Sequence, residues 1–214
     1  MSSSSHEIKT RCPYCGKEFD TTIYTSVDPE TDPDLRDRCI SGDIFRQLCP
    51  HCHTEYMTQY PLIYKNIPDK FIIWLSASPM NGSTAESRDL AKKGYTLRRC
   101  AKLEEFAEKI RIFEDHMNDI AVELAKYDSF IEFLDNRSGN PEDVTSIEYQ
   151  KVDNDVIKIN IRMEDRGMSF LIPVSMLEEE IRAEADLYHV NNEEFPLVNS
   201  DWIISLFMKP AGQA

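Results

Sequence analysis

The chain has 214 residues with 24 basic and 38 acidic groups, a net charge of −14, and an apolar share of 41%. That share supports a packed core, while the acidic balance works against sequence-independent binding to a nucleic-acid backbone. No apolar run reaches the roughly 18–20 residues that a membrane helix needs; the densest is Phe71-Ile72-Ile73-Trp74-Leu75.

Met1 to His6 is Ser-rich, reads as disordered and lacks the apolar core of a signal peptide. A cytoplasmic setting is therefore expected, where paired cysteines serve more often as ligands or redox centres than as disulfides. From Ile8 to about Ala77 short alternating apolar runs predict strands at Thr22 to Tyr24, Glu55 to Tyr60, Pro61 to Tyr64 and Phe71 to Leu75. Between them, Asp34 to Gly42 predicts a short helix, with Pro33 suited to its first turn and Gly42 to its end. Residues 79–94 have linker composition. Leu103, Phe106, Ile110, Phe113, Met117, Ile120, Leu124, Tyr127, Ile131 and Leu134 then recur at alternating spacings of 3 and 4. This heptad seam predicts one long helix within 95–136, stopped by Asn136, Ser138, Gly139, Asn140 and Pro141. Aromatic members and the extra apolar residues Ala121, Val122, Phe130 and Phe133 favour packing within a monomer over a two-stranded coil, with a homodimer as the minority reading. Residues 142–210 read as a mixed α+β section. Strands are predicted at Ser146 to Tyr149, Val156 to Ile161 and Met168 to Ile172, then a helix capped by Ser175 with Glu178 three residues on, then an apolar element from Trp202 to Met208. Residues 141–214 alone hold 6 basic and 15 acidic groups.

One eight-residue pattern occurs twice. Cys12-Pro13-Tyr14-Cys15-Gly16-Lys17-Glu18-Phe19 and Cys49-Pro50-His51-Cys52-His53-Thr54-Glu55-Tyr56 both read Cys-Pro-X-Cys-X-X-Glu-aromatic, with 33 residues between Cys15 and Cys49. Paired CxxC turns present four thiolates to one tetrahedral ion, zinc being the expected one. Arg11, Lys17 and Arg46 flank the pairs, where they could offset the negative charge of four thiolates. Gly16 suits a turn with positive φ, and His53 stands in the matching place. Phe19 and Tyr56 are expected to pack beneath the metal. His51 and His53 are potential ligands, but four cysteines already close the shell. Cys39 and Cys100 read as small buried residues. Cys-Pro-Tyr-Cys and Cys-Pro-His-Cys are also redox motifs, yet those open a helix, and Gly16-Lys17-Glu18-Phe19 reads as a turn into a strand. His116, Asp119 and Glu123 share a predicted helix face but lack the paired Glu-x-x-His ligands of a bundle metal site. The cluster Lys92, Lys93, Arg98, Arg99 and Lys102 reads as charge balance.

The two CPxC motifs, the strand Phe71–Leu75, and Gly94-Tyr95-Thr96-Leu97-Arg98 leading to Glu108-Lys109-Ile110 and Asp119 resemble the CpXC-domain proteins of bacteria and archaea. The resemblance covers about residues 9–135, with weaker similarity near Asp201-Trp202. It implies a metal site at Cys12, Cys15, Cys49 and Cys52 in a prokaryotic cytosolic protein and supplies no substrate. The chain departs from the family at His53, where Gly is usual.

The expected fold is α+β: a small zinc-ribbon-like CPxC β domain over 8–78 with a helical insertion, a linker at 79–94, the long helix at 95–136, and the C-terminal section at 142–210. The expected function is a non-catalytic zinc-binding interaction or regulatory module whose partner is another protein. The alternative is a thiol–disulfide oxidoreductase.

Overall fold

The computed structural model describes residues 2–79, 82–135 and 140–208; the expected helix stop at Asn136, Ser138 and Gly139 falls outside them. Among these residues the fold is mixed α+β, with six α-helices and three sheets. No helix of the described residues is long and apolar enough to cross a membrane. The chain divides into two compact units, Met1–Arg111 with Asn191–Leu197, and Ile112–Val190 with Val198–Ala214.

The first unit is built on a five-stranded sheet. β1 (Ser4–Arg11) and β2 (Glu18–Val27) form a long antiparallel hairpin. Ser4 to His6 of the Ser-rich start, expected to be disordered, are therefore strand. Its hydroxyls find partners on β2: Ser4 Oγ lies 2.7 Å from both Thr25 Oγ1 and Ser26 Oγ. α1 (Pro33–Ser41) follows the predicted bounds and ends on Gly42 at φ 81°. A second, short hairpin pairs β3 (Arg46–Leu48) with β4 (Glu55–Met57). β5 (Leu62–Asn66) joins the main sheet through Ser26 and Val27 and pairs antiparallel with β6 (Phe71–Leu75). β6 runs parallel to β7 (Thr96–Cys100), and α2 (Ala85–Lys92) lies in the crossover between them.

That crossover occupies what reads in the sequence as a linker. Thr84 and Ser87 cap α2 reciprocally: Ser87 N–H donates to Thr84 Oγ1 at 3.1 Å, and Thr84 N–H to Ser87 Oγ at 2.9 Å. Leu62, Tyr64, Ile73 and Leu75 share one face of the sheet and Leu97 lies on the other; all five, and Phe106, are without exposure. Phe45 bridges Tyr60 and Phe106, with ring centroids 5.0 and 6.2 Å away. Segment Asn191–Leu197 covers β7: Leu97 N–H donates to Asn192 Oδ1 at 2.8 Å, and Asn192 Nδ2 donates to the Tyr95 carbonyl at 2.6 Å.

The single long helix is corrected to two, α3 (Leu103–Glu114) and α4 (Asp119–Asp135). The break is a Schellman ending. Met117 N–H reaches back to the Ile112 carbonyl and His116 N–H to that of Phe113, both at 3.0 Å, with His116 at φ 58°. Asn118 then opens α4, its side chain accepting from Ile120 N–H at 3.0 Å.

In the second unit α4 lies on an antiparallel sheet ordered β10-β9-β8, made of β8 (Val144–Lys151), β9 (Val156–Met163) and β10 (Gly167–Pro173). Alternation along β9 buries Ile157, Ile159 and Ile161, the first two in a core shared with Ala121, Leu124 and Leu177. α5 (Val174–Ala183) and α6 (Ser200–Phe207) complete the layer. Ser175 does not cap α5. The strand runs into the helix through Pro173, and Val174 N–H is taken by the Asp155 carbonyl at 2.8 Å.

Candidate metal centre

Both CPxC motifs sit at hairpin tips, between β1 and β2 and between β3 and β4. Each folds by the same two backbone bonds. Cys12 N–H donates to the Lys17 carbonyl at 3.0 Å and Gly16 N–H to the Cys12 carbonyl at 2.9 Å. In the second tip, Cys49 N–H donates to the Thr54 carbonyl at 3.1 Å and His53 N–H to the Cys49 carbonyl at 2.9 Å. The turn needs a positive φ at its fifth residue, supplied by Gly16 at 72° and His53 at 57°. His53 thus keeps the geometry that Gly16 takes in the first tip.

The two tips bring four sulfurs together, all within 4.8 Å of one another. Cys12 Sγ lies 3.7 Å from Cys52 Sγ, and Cys15 Sγ lies 3.7 Å from Cys49 Sγ. A tetrahedron with Zn–S bonds of about 2.3 Å has edges of about 3.8 Å. The spacing therefore fits a four-thiolate ion and is far too wide for a disulfide, whose S–S bond is about 2.05 Å. These four cysteines could hold a metal ion.

The thiols are electrostatically unequal. The Lys17 backbone N–H acts to lower Cys15, but partial desolvation of this exposed thiol and its contacts with the thiols of Cys49, Cys52 and Cys12 outweigh it and push it up to about 11. The Thr54 hydroxyl, 3.4 Å from Cys52 Sγ, and the Thr54 N–H bring Cys52 down to about 6. Lys17 and Thr54 thus fill matching places, two residues beyond the second cysteine of each motif, and each offers its N–H to a sulfur. Their role was open to sequence reasoning only through the repeat, since backbone N–H donors leave no residue-type signal.

The flanking arginines are engaged nearby. Arg11 pairs with Glu18 at 3.1 Å, and Arg46 with Asp43 at 2.9 Å and Glu55 at 3.1 Å. Tyr56 packs on Tyr14 of the other tip, ring centroids 6.1 Å apart, and desolvation, with the charge of Cys12 and Cys49 behind it, raises its phenol above its ordinary value. Phe19 instead lines an open cleft of about 490 Å³ between β2 and β3, with Thr21, Arg38, Gln47 and Leu48. His51 Nε2 lies 3.2 Å from the Glu18 carbonyl oxygen, so that ring ties one hairpin to the other. Cys39 and Cys100 are buried outside the four-sulfur cluster. His116 sits in the helix break, apart from the buried Asp119 and Glu123 on α4.

No curated protein and no solved structure matches the chain. The model of the CpXC protein family does match, over residues 10–126. That span holds both hairpin tips and all four clustered cysteines, and it exceeds half of the chain. The chain belongs to the CpXC protein family.

Proposed function

We propose that the protein is a non-catalytic interaction or regulatory module whose zinc-ribbon-like hairpin pair is held together by one structural zinc on Cys12, Cys15, Cys49 and Cys52. The observation carrying this reading is the 3.7 Å spacing between sulfurs of opposite motifs, the edge of a zinc–thiolate tetrahedron. Four protein ligands leave no coordination position for water or substrate, which argues for structure over catalysis. The partner we assign is another protein, met by a cytoplasmic monomer. The oxidoreductase alternative has less support, because Cys15 and Cys52 are followed by β2 and β4 and not by the helix that activates a redox CxxC.

Elemental analysis of the purified chain tests the reading. One zinc per chain is expected, lost to a strong chelator together with hairpin structure. A metal-free chain that keeps both hairpins refutes it.

A further inference from the structure

We propose that the same centre is a hydroperoxide-responsive switch in which oxidation joins Cys15 to Cys49, across the two hairpin tips, and not the two cysteines within either motif. The inference rests on the zinc reading for its resting state. Cys15 is exposed and Cys49 fully buried, so a peroxide meets Cys15 first. Cys49 Sγ waits 3.7 Å from Cys15 Sγ. A bond between them closes that gap where the two sulfurs already face each other. Cys12, the other cysteine of the Cys15 motif, is buried with its sulfur 3.7 Å from Cys52 Sγ, across the tips.

The chemistry balances as a two-electron exchange. The Cys15 thiolate attacks one peroxide oxygen; an S–O bond forms, the O–O bond breaks and hydroxide leaves. The Cys49 thiolate then attacks the Cys15 sulfur; the S–S bond forms, the S–O bond breaks and a second hydroxide leaves. Each hydroxide takes a proton from a buffer acid and becomes water. Two thiolates are oxidised and one peroxide is reduced. Cys12 and Cys52 are left as two ligands, too few for a closed shell. The new bond spans 34 residues of sequence and keeps the two hairpins tethered where the ion had held them.

The test uses the full chain loaded with zinc and treated with hydrogen peroxide. A chromophoric chelator follows the metal, and mass spectrometry of non-reduced peptides maps the bonds. The expected result is loss of the bound zinc, peptides linked through Cys15 and Cys49, reduced Cys39 and Cys100, and zinc uptake restored by dithiothreitol. Retention of zinc, links within either motif, or oxidation to sulfinic acid without a disulfide would each overturn the switch. A chain that takes up no zinc refutes the metal reading instead, and the peptide map still decides the pairing.

Discussion

At the scale of single residues, the two hairpin tips are a controlled comparison of one backbone position. Gly16 and His53 carry the same left-handed conformation in the same turn. A Cβ added at Gly16 meets no atom within 4 Å, so Gly16→Ala costs only the conformational penalty, about 1–2 kcal/mol. His53→Gly should return a similar amount, less the entropy that glycine loses on folding. Denaturant titration of the zinc-loaded variants checks both; a destabilised His53→Gly would mean that the imidazole contributes more than its strain removes. Asp128 offers a second residue-level test. Burial, and then the charge of Glu180, raises its carboxyl to about 6, and Glu184 and the Tyr188 phenol share that surrounding. The folded chain then binds this proton more tightly than the unfolded chain does. Asp128 keeps part of its surface in water, which weakens the effect but not its sign: the contribution to stability is full below the unfolded value near about 4 and is lost as pH rises through 6. Asp128→Asn should melt higher than the wild type at pH 7 and level with it at pH 4. Thermal melts across that range decide it, and equal offsets at both pH values would remove Asp128 as the cause.

At the scale of elements, sequence legibility depended on whether the signal was chemical or periodic. The repeated CPxC pattern named all four clustered cysteines, because the requirement for thiolates in a tight turn is written in residue types. β6 was legible as an apolar run, and α1 from Pro33 and Gly42. The helix break at Asp115 to Asn118 was not. Phe113, Met117 and Ile120 keep the 3-and-4 spacing straight through it, since Met117, three places beyond the end of α3, packs back into the same core as Ile112. The residue that marks such an ending is usually a glycine, and here His116 holds φ 58°. Asn118 was the one remaining sign, a helix cap in the middle of an apparent heptad. Asn118→Ala should destabilise the second unit by about 1 kcal/mol, read by denaturant titration. No loss would mean that the Ile120 N–H bond adds nothing to the start of α4. α2 was missed for a related reason: its cap pairs Thr84 with Ser87, and not with the glutamate or glutamine that makes the pattern recognisable.

At the scale of the whole molecule, charge and core are divided unequally. The unit made of Ile112–Val190 and Val198–Ala214 has 8 basic and 20 acidic groups, whereas the unit bearing the cysteines has 16 and 18. The acidic character that argues against nucleic-acid binding is thus concentrated in the unit that does not carry the cysteine hairpins. Each unit also owns an apolar core, so loss of the metal should act locally. β3 and β4 are three residues each, and a two-stranded hairpin of that size is not stable alone. By contrast, β6 is enclosed between β5 and β7, and Ile157, Ile159 and Ile161 are almost fully buried beneath α4. Replacing one thiolate forfeits much of a binding free energy that is about 10–16 kcal/mol in small zinc modules. Hydrogen exchange on Cys52→Ser should therefore show fast exchange in both hairpin tips and in β3 and β4. The amides of β6, β7 and β9 should keep their protection, Leu97 included because its N–H is held by Asn192. Uniform loss across β6 and β9 would show one cooperative unit; unchanged protection in β3 and β4 would show hairpins that stand without the metal.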